Sequence, residues 1–189
     1  MHDESHGAEW FAEEGGEPVE LVRSDPSWPR RFDDIRRQLA DALGPVALRI
    51  DHIGSTAIPG LEAKPVIDVQ VSVARLDAED EYRAQIESLG WELRAREPEH
   101  RFFRPAAGEP RTVHVHVCQA GSTWERAHLL FRDYLHAHPA RAAEYVALKR
   151  QLASSLGRDR AAYTRSKNPF IAETLRLAAP WARKVGWRL

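Results

Sequence analysis

The run VIDVQVSV, residues 66–73, constrains this chain more than any other segment. Alternation sustained over eight residues is the period of a β-strand, whose successive side chains point to opposite faces. It puts Ile67, Val69, Val71 and Val73 on one face and Val66, Asp68, Gln70 and Ser72 on the other. The apolar face needs a core. The other face carries a carboxylate and an amide where a central strand is ordinarily apolar, so it needs a functional reason. A strand also needs partners. VALRIDHIG (46–54), WELRA (91–95), HRFFRP (100–105) and RTVHVHVCQ (111–119) read as strands, with VELV (19–22) as a short first one.

Helical spacing fills the rest. Pro29 suits a helix start, Phe32, Ile35, Leu39 and Leu43 recur at helical intervals, and Gly44-Pro45 stops the helix. Residues 77–90 read as a helix capped by Asp77 and ended by a glycine. Three helices, 123–137, 139–155 and 159–178, close the chain, with Asp159 as a cap and Pro169 predicting a kink or break in the last. The expectation is an α+β fold, a mixed β-sheet core with a helical C-terminal block. Residues 1–18 hold six acids and no Lys or Arg and read as a disordered acidic tail. Residues 19–178 form the expected domain and 179–189 a C-terminal extension.

Composition narrows the function. No apolar run approaches the ~20 residues of a membrane helix. The N-terminus has neither the basic start nor the apolar stretch of a secretory signal. A single cysteine, Cys118, excludes an internal disulfide framework and favours a reducing compartment. The chain is read as cytoplasmic, without a membrane partner. Its net charge of -1 hides an asymmetry: from Arg126 to Leu189 there are 13 Lys and Arg against 4 Asp and Glu. A basic C-terminal third facing an acid-bearing middle suits an anionic ligand such as a phosphate chain, with solvated helix faces as the alternative. A nucleic-acid partner is disfavoured by the near-neutral total and the lack of a basic aromatic platform.

Chemistry gathers around Asp68. Gly54-Ser55 ends one strand, and twelve residues later Asp68 opens the next. A small turn residue lets backbone N–H groups face a phosphate, the Ser55 hydroxyl adds a donor, and a carboxylate on the adjacent strand can hold Mg²⁺ beside the same phosphates. The alternative is a plain turn with Ser55 capping a short helix. His114, His116 and Cys118 share a strand face and could hold Zn²⁺ with His52 or His100, or be partly buried histidines bonded to neighbouring acids. Lys64, at the strand entry, can reach a phosphate on the Gly54-Ser55 turn. The helices offer Arg132, Asp133, Lys149, Tyr163 and Lys167, whose cations would neutralise phosphate charge, and Arg101 and Arg104 could do the same from the strand side. Tyr145 reads as helix core. The chain has no GxxxxGK[ST] phosphate loop and no GxSxG nucleophile elbow.

Ile53-Gly54-Ser55 followed after twelve residues by Asp68-Val69-Gln70-Val71 resembles the signature of the nucleotidyltransferase superfamily that includes DNA polymerase β. More closely, DHIGSTAIPGLEAKPVIDVQVSV is similar to the GrpB family of bacterial proteins. The likeness extends through SDPSWPRRF (24–32), RFFR (101–104), HVHV (114–117), LLFRDYLHAHPARAAEYVALKRQLA (129–153) and YTRSKNPFI (163–171), covering roughly residues 19–173. Members of that family also occur fused to dephospho-coenzyme A kinase. The resemblance implies a nucleotidyltransferase-like fold that binds a nucleoside triphosphate with Mg²⁺ or Mn²⁺ and transfers a nucleotidyl group to an unknown acceptor. The alternative is a non-catalytic module for a nucleotide or coenzyme A-type ligand. On this reading Asp68, Ser55 and His116 are catalytic candidates. Gly54, Ser55, Lys64, Arg101, Arg132, Lys149 and Lys167 contact the nucleotide, and Asp68, His114 and His116 ligate metal, with zinc as second choice. One departure stands out: the superfamily's second carboxylate falls at position 70, where this chain has Gln70, and the later strand carries His114 and His116 instead of a third acid.

Overall fold

The structure, a computed structural model, describes residues 9–10 and 18–189. The six strands are β1 (Glu9–Trp10), β2 (Arg49–Ile53), β3 (Ile67–Val73), β4 (Trp91–Arg96), β5 (His100–Pro105) and β6 (Val113–Gln119). They form one mixed sheet in the order β1-β4-β5-β6-β3-β2, with β3 and β6 parallel and every other pair antiparallel. The helices are α1 (Trp28–Leu43), α2 (Arg83–Glu87), α3 (Thr123–Ala137), α4 (Pro139–Leu156), α5 (Arg160–Arg165) and α6 (Asn168–Val185). The architecture is α+β, as the alternation of periods predicts.

The alternation in β3 sorts the molecule into layers. Ile67, Val69, Val71 and Val73 join Val113, Val115, Val117 and Phe103 in a core closed by Trp28, Leu39 and Leu43 of α1 and by Tyr82 and Ile86. Burying each such side chain contributes about 1.5–3 kcal/mol. The opposite, polar face carries the C-terminal helices. Beneath α3, Ser72 donates to Glu125 at 2.5 Å, and the second Glu125 oxygen accepts the Gly121 N–H at 2.5 Å, so this buried carboxylate is satisfied at both oxygens. Ser122 caps α3 by accepting the Glu125 N–H.

Several expectations change. Residues 19–22 form no strand: Val22 alone bridges Ala63, while the Val19 N–H donates to Gly157. The expected helix at 77–90 is a 3₁₀ turn, Glu79–Glu81, followed by the five residues of α2. Tyr82 interrupts it at φ -138, with its buried hydroxyl donating to the Leu76 carbonyl. Pro169 marks a break, as expected: α5, capped by Asp159, ends before α6 begins with Pro169 in its first turn, where a missing N–H costs nothing. α6 runs to Val185, so most of the expected extension is helix, and Ala182 and Trp187 pack against Tyr134 and Leu130. The expected acidic tail lies outside the described residues except for Glu9–Trp10, which adds an edge strand to β4. Among the described residues, no helix is long and apolar enough to cross a membrane.

Candidate functional site

Parallel pairing of β3 and β6 sets Asp68 opposite His114 and Gln70 opposite His116. All four side chains therefore stand on the polar face. His114 Nδ1 lies 3.0 Å from Asp68 Oδ1, and His116 Nε2 lies 3.7 Å from the same oxygen. The first is a hydrogen bond and the second is too long for one. Burial alone would raise the Asp68 carboxyl, but the His114 hydrogen bond and the proximity of both imidazoles more than reverse this and hold it below the usual carboxylate range. Burial presses the His116 imidazole down to about 4, against the pull of Asp68. At neutral pH the centre is an ionised carboxylate beside a neutral imidazole.

The β2–β3 connection wraps this centre. Gly54 adopts φ +69, in the left-handed region, and a Cβ built on it would lie 2.3 Å from Asp68 Oδ2. Only glycine lets the backbone approach the carboxylate here. Residues Ser55–Ala57 then make a 3₁₀ turn. Ser55 does not cap it through its side chain; its hydroxyl instead accepts a hydrogen bond from Lys149 Nζ at 3.2 Å. Lys149 also donates to the Glu62 carbonyl and is buried. Burial first, then the nearby Lys167, lowers its ammonium to about 7, with Glu62 opposing. Burial and then Lys64 lower Lys167 to about 8. Lys64 and Lys167 both stand over the ring of Tyr163.

These groups line one cavity of about 370 Å³ between the sheet and α4–α6. That size lies within the roughly 300–1,000 Å³ of small-molecule sites. Its wall includes Gly54, Ser55, Lys64, Asp68, His114, His116, Lys149 and Lys167, so eight predicted site residues meet in one place. Arg111 and Arg160 join the wall without having been predicted, and Tyr145, read as core, stands between the apolar packing of Phe131 and Phe170 and the cavity itself. Arg104 lines the cavity as well, and Phe102 and His100 complete the strand side. Among the described residues, Asp68 is the only acid in a wall that carries six Lys and Arg.

Two predicted contacts do not reach it. Arg101 lies outside the cavity wall and spends its guanidinium on Glu79 at 2.5 Å and on the Glu97 carbonyl. Arg132 donates to the His52 carbonyl at 2.9 Å and to Asp133 at 2.7 Å, tying α3 to β2. The zinc alternatives also separate. Cys118 is buried beside Ser72, its thiol pushed up to about 12 chiefly by burial. His52 stacks on Phe32 and bonds Thr56, and His100 stacks on Trp124 and pairs with Glu97. Among the described residues, the group with donor atoms close enough for one metal ion is Asp68, His114 and His116, all within 4.8 Å of one another. Gln70 is fully buried, outside the cavity wall, and its amide has no side-chain or backbone partner.

Comparison with known proteins adds a lineage. A family model described as GrpB protein matches residues 18–177. UPF0157 protein SCO7215 of Streptomyces coelicolor is 39% identical over 159 residues, covering 83% of this chain and 83% of that protein. UPF0157 protein YqkA of Bacillus subtilis is 35% identical over 87% of this chain and 48% of its own length. A dephospho-CoA kinase of Mycobacterium tuberculosis is 32% identical over 90% of this chain and 48% of its own length. The chain thus spans about half the length of the latter two relatives. The crystal structure of the conserved protein GrpB from Enterococcus faecalis superposes with a TM-score of 0.76 at 32% identity, over 89% of this chain and 100% of that one.

Proposed function

The chain belongs to the GrpB family, and from that premise and the geometry of the cleft we propose that it binds a phosphate-bearing small molecule of the nucleotide class together with a divalent cation at Asp68. One observation carries the reading: six cationic side chains from the sheet side and the C-terminal helices converge on a cavity whose only acid among the described residues is Asp68. Burying ammonium groups and bringing like charges together are both unfavourable unless an anion is there to share, and burial first, then the neighbouring lysines, depresses the Lys149 and Lys167 ammonium groups. A polyphosphate would engage these cations through short charge-assisted hydrogen bonds. Ser55 and Lys149 sit beside the Gly54 turn to hold one end of it, and Lys64, Lys167 and Arg160 line the same cavity.

Nucleotidyl transfer is the reaction this arrangement would serve, with Asp68 placing the cation and the lysines neutralising charge on the leaving phosphates. A second reading, a module that binds the same ligand without turnover, is favoured by Gln70, since a fully buried amide cannot bridge a second metal ion. The name of the mycobacterial relatives brings dephospho-coenzyme A and coenzyme A into the ligand set. The test is a thermal-shift panel of nucleoside triphosphates and these two compounds, with and without divalent metal, on wild type and Asp68→Asn. A ligand at a hundredfold excess over its Kd adds about 2.7 kcal/mol of stability. A metal-dependent rise lost in Asp68→Asn is expected. No rise with any phosphate compound would overturn the proposal, and pyrophosphate release then separates transfer from binding.

A further inference from the structure

The metal expected from the superfamily pattern does not fit the residues present. Mg²⁺ demands a near-octahedral shell of oxygens. Here Gln70, at the position of the second carboxylate, is fully buried and outside the cavity, and the facing strand presents two imidazoles. The donors that do converge are one carboxylate oxygen and two ring nitrogens. We propose that Asp68, His114 and His116 form a three-ligand site for a single divalent first-row transition ion, zinc foremost, whose open coordination position faces the cationic cavity.

The spacing supports this. Ligands at about 2.0–2.1 Å from one ion lie about 3.0–3.4 Å apart at octahedral or tetrahedral angles. The observed separation of 3.0 Å from Asp68 Oδ1 to His114 Nδ1 falls in that range, and His116 Nε2, at 3.7 Å from the same oxygen, has to close by about 0.3 Å to enter it. The 3.7 Å gap is too long to be a hydrogen bond, so His116 Nε2 is not committed to Asp68. The three ligands stand on neighbouring strands held in register by the sheet ladder, so their positions do not depend on a loop. Gly54 keeps the remaining side of Asp68 clear, because any side chain there would strike Oδ2. Cys118 and His52, which would close the coordination shell, are engaged elsewhere, which leaves a catalytic-type site with an open position in place of a closed structural one. Two imidazoles and one carboxylate suit the zinc, manganese, iron and cobalt class.

The inference rests on the cleft reading only for the ligand that the open position faces; the ion itself is tested without nucleotide. Untagged full-length protein, stripped with a chelator and dialysed, is titrated with Co²⁺ and followed by its visible d–d absorption, with circular dichroism confirming the fold. Wild type is expected to take up one Co²⁺ per chain, to release it to an equivalent of Zn²⁺, and to keep it in a hundredfold excess of Mg²⁺. His114→Ala and His116→Ala are each expected to bind Co²⁺ at least about tenfold more weakly. Folded wild type that takes up no Co²⁺, or that yields it to Mg²⁺ at comparable concentration, overturns the proposal even if the alanine variants fail to fold. Tight Co²⁺ binding with no phosphate-dependent thermal shift would leave the metal site standing and remove the nucleotide reading alone.

Discussion

Gly54→Ala tests the centre with a single methyl group. Two costs follow from the structure. The alanine must adopt φ +69, a left-handed conformation that costs an L-residue about 1–2 kcal/mol. Its Cβ must also escape an approach of 2.3 Å to Asp68 Oδ2, about 1 Å inside ordinary contact. The carboxylate cannot yield freely, because Oδ1 accepts from His114. Turning it away forfeits a hydrogen bond to a charged group, about 1.5–3 kcal/mol. The expected loss is therefore about 2.5–5 kcal/mol, and at about 2–4 °C per kcal/mol for a chain of this size Tm falls by roughly 5–20 °C. Gly60→Ala is the control. Gly60 has a similar φ of +76, and nothing lies within 4 Å of its Cβ position, so that variant carries only the backbone term. Thermal unfolding and Co²⁺ titration of both variants separate the effects: Gly54→Ala should lose more stability than Gly60→Ala and should bind Co²⁺ more weakly. Equal Tm losses with unchanged Co²⁺ affinity would show that the approach of Gly54 to Asp68 has no bearing on the site.

Three further outcomes are expected. Lys149 holds its proton less firmly than a free lysine, so affinity for a triphosphate should fall as pH rises from 6.5 to 8.5, by up to about tenfold per unit for each lysine that must recapture a proton. Lys149→Met should flatten that slope in calorimetric titrations. In the absence of ligand the sign is opposite: the folded state binds fewer protons than the unfolded state between about 7 and the ordinary lysine value near 10.4, so wild-type stability gains with pH across that window from this group, and Lys149→Met removes the gain. Arg132→Ala should cost about 1–3 kcal/mol in denaturant unfolding by freeing the His52 carbonyl and Asp133, while ligand affinity stays at the wild-type value. Ser72→Ala should cost a similar amount, about 1–3 kcal/mol, by leaving one oxygen of buried Glu125 without its donor, again with no change in Co²⁺ affinity.

What could be read from the sequence follows the range of the interactions involved. Strand alternation is local, so VIDVQVSV and HVHVC already place Asp68, His114 and His116 on polar faces, and the parallel ladder only has to bring those faces together. The helix starts at Pro29, Asp159 and Pro169 are local too, and each marks a boundary in the structure. The failures come from packing. Tyr82 breaks a helix whose own spacing is sound, because its hydroxyl is drawn to the Leu76 carbonyl. Arg101 and Arg104 looked equivalent, yet alternation along β5 should have parted them: Arg104 shares its side with Phe102 and His100, while Arg101 lies with Phe103 on the other. Arg111, Arg160 and Tyr145 carry no local mark, since their place in the wall depends on how α4 and α5 close over the sheet.

The same closure explains why Gln70 need not be a defect. A carboxylate at position 70 would stand fully buried, two residues along β3 from Asp68 and opposite His116, without the cavity's cations to offset it. An unpaired charge there would cost several kcal/mol or remain protonated, and in neither state could it reach an ion held at Asp68. Gln70, facing the imidazoles of the neighbouring strand, avoids that second buried charge, so among the described residues the cavity wall sets one carboxylate among six cations. The exchange of acid for histidine and the excess of positive charge are thus two sides of one arrangement: a wall with a single carboxylate among its cations carries a net positive charge toward the cavity.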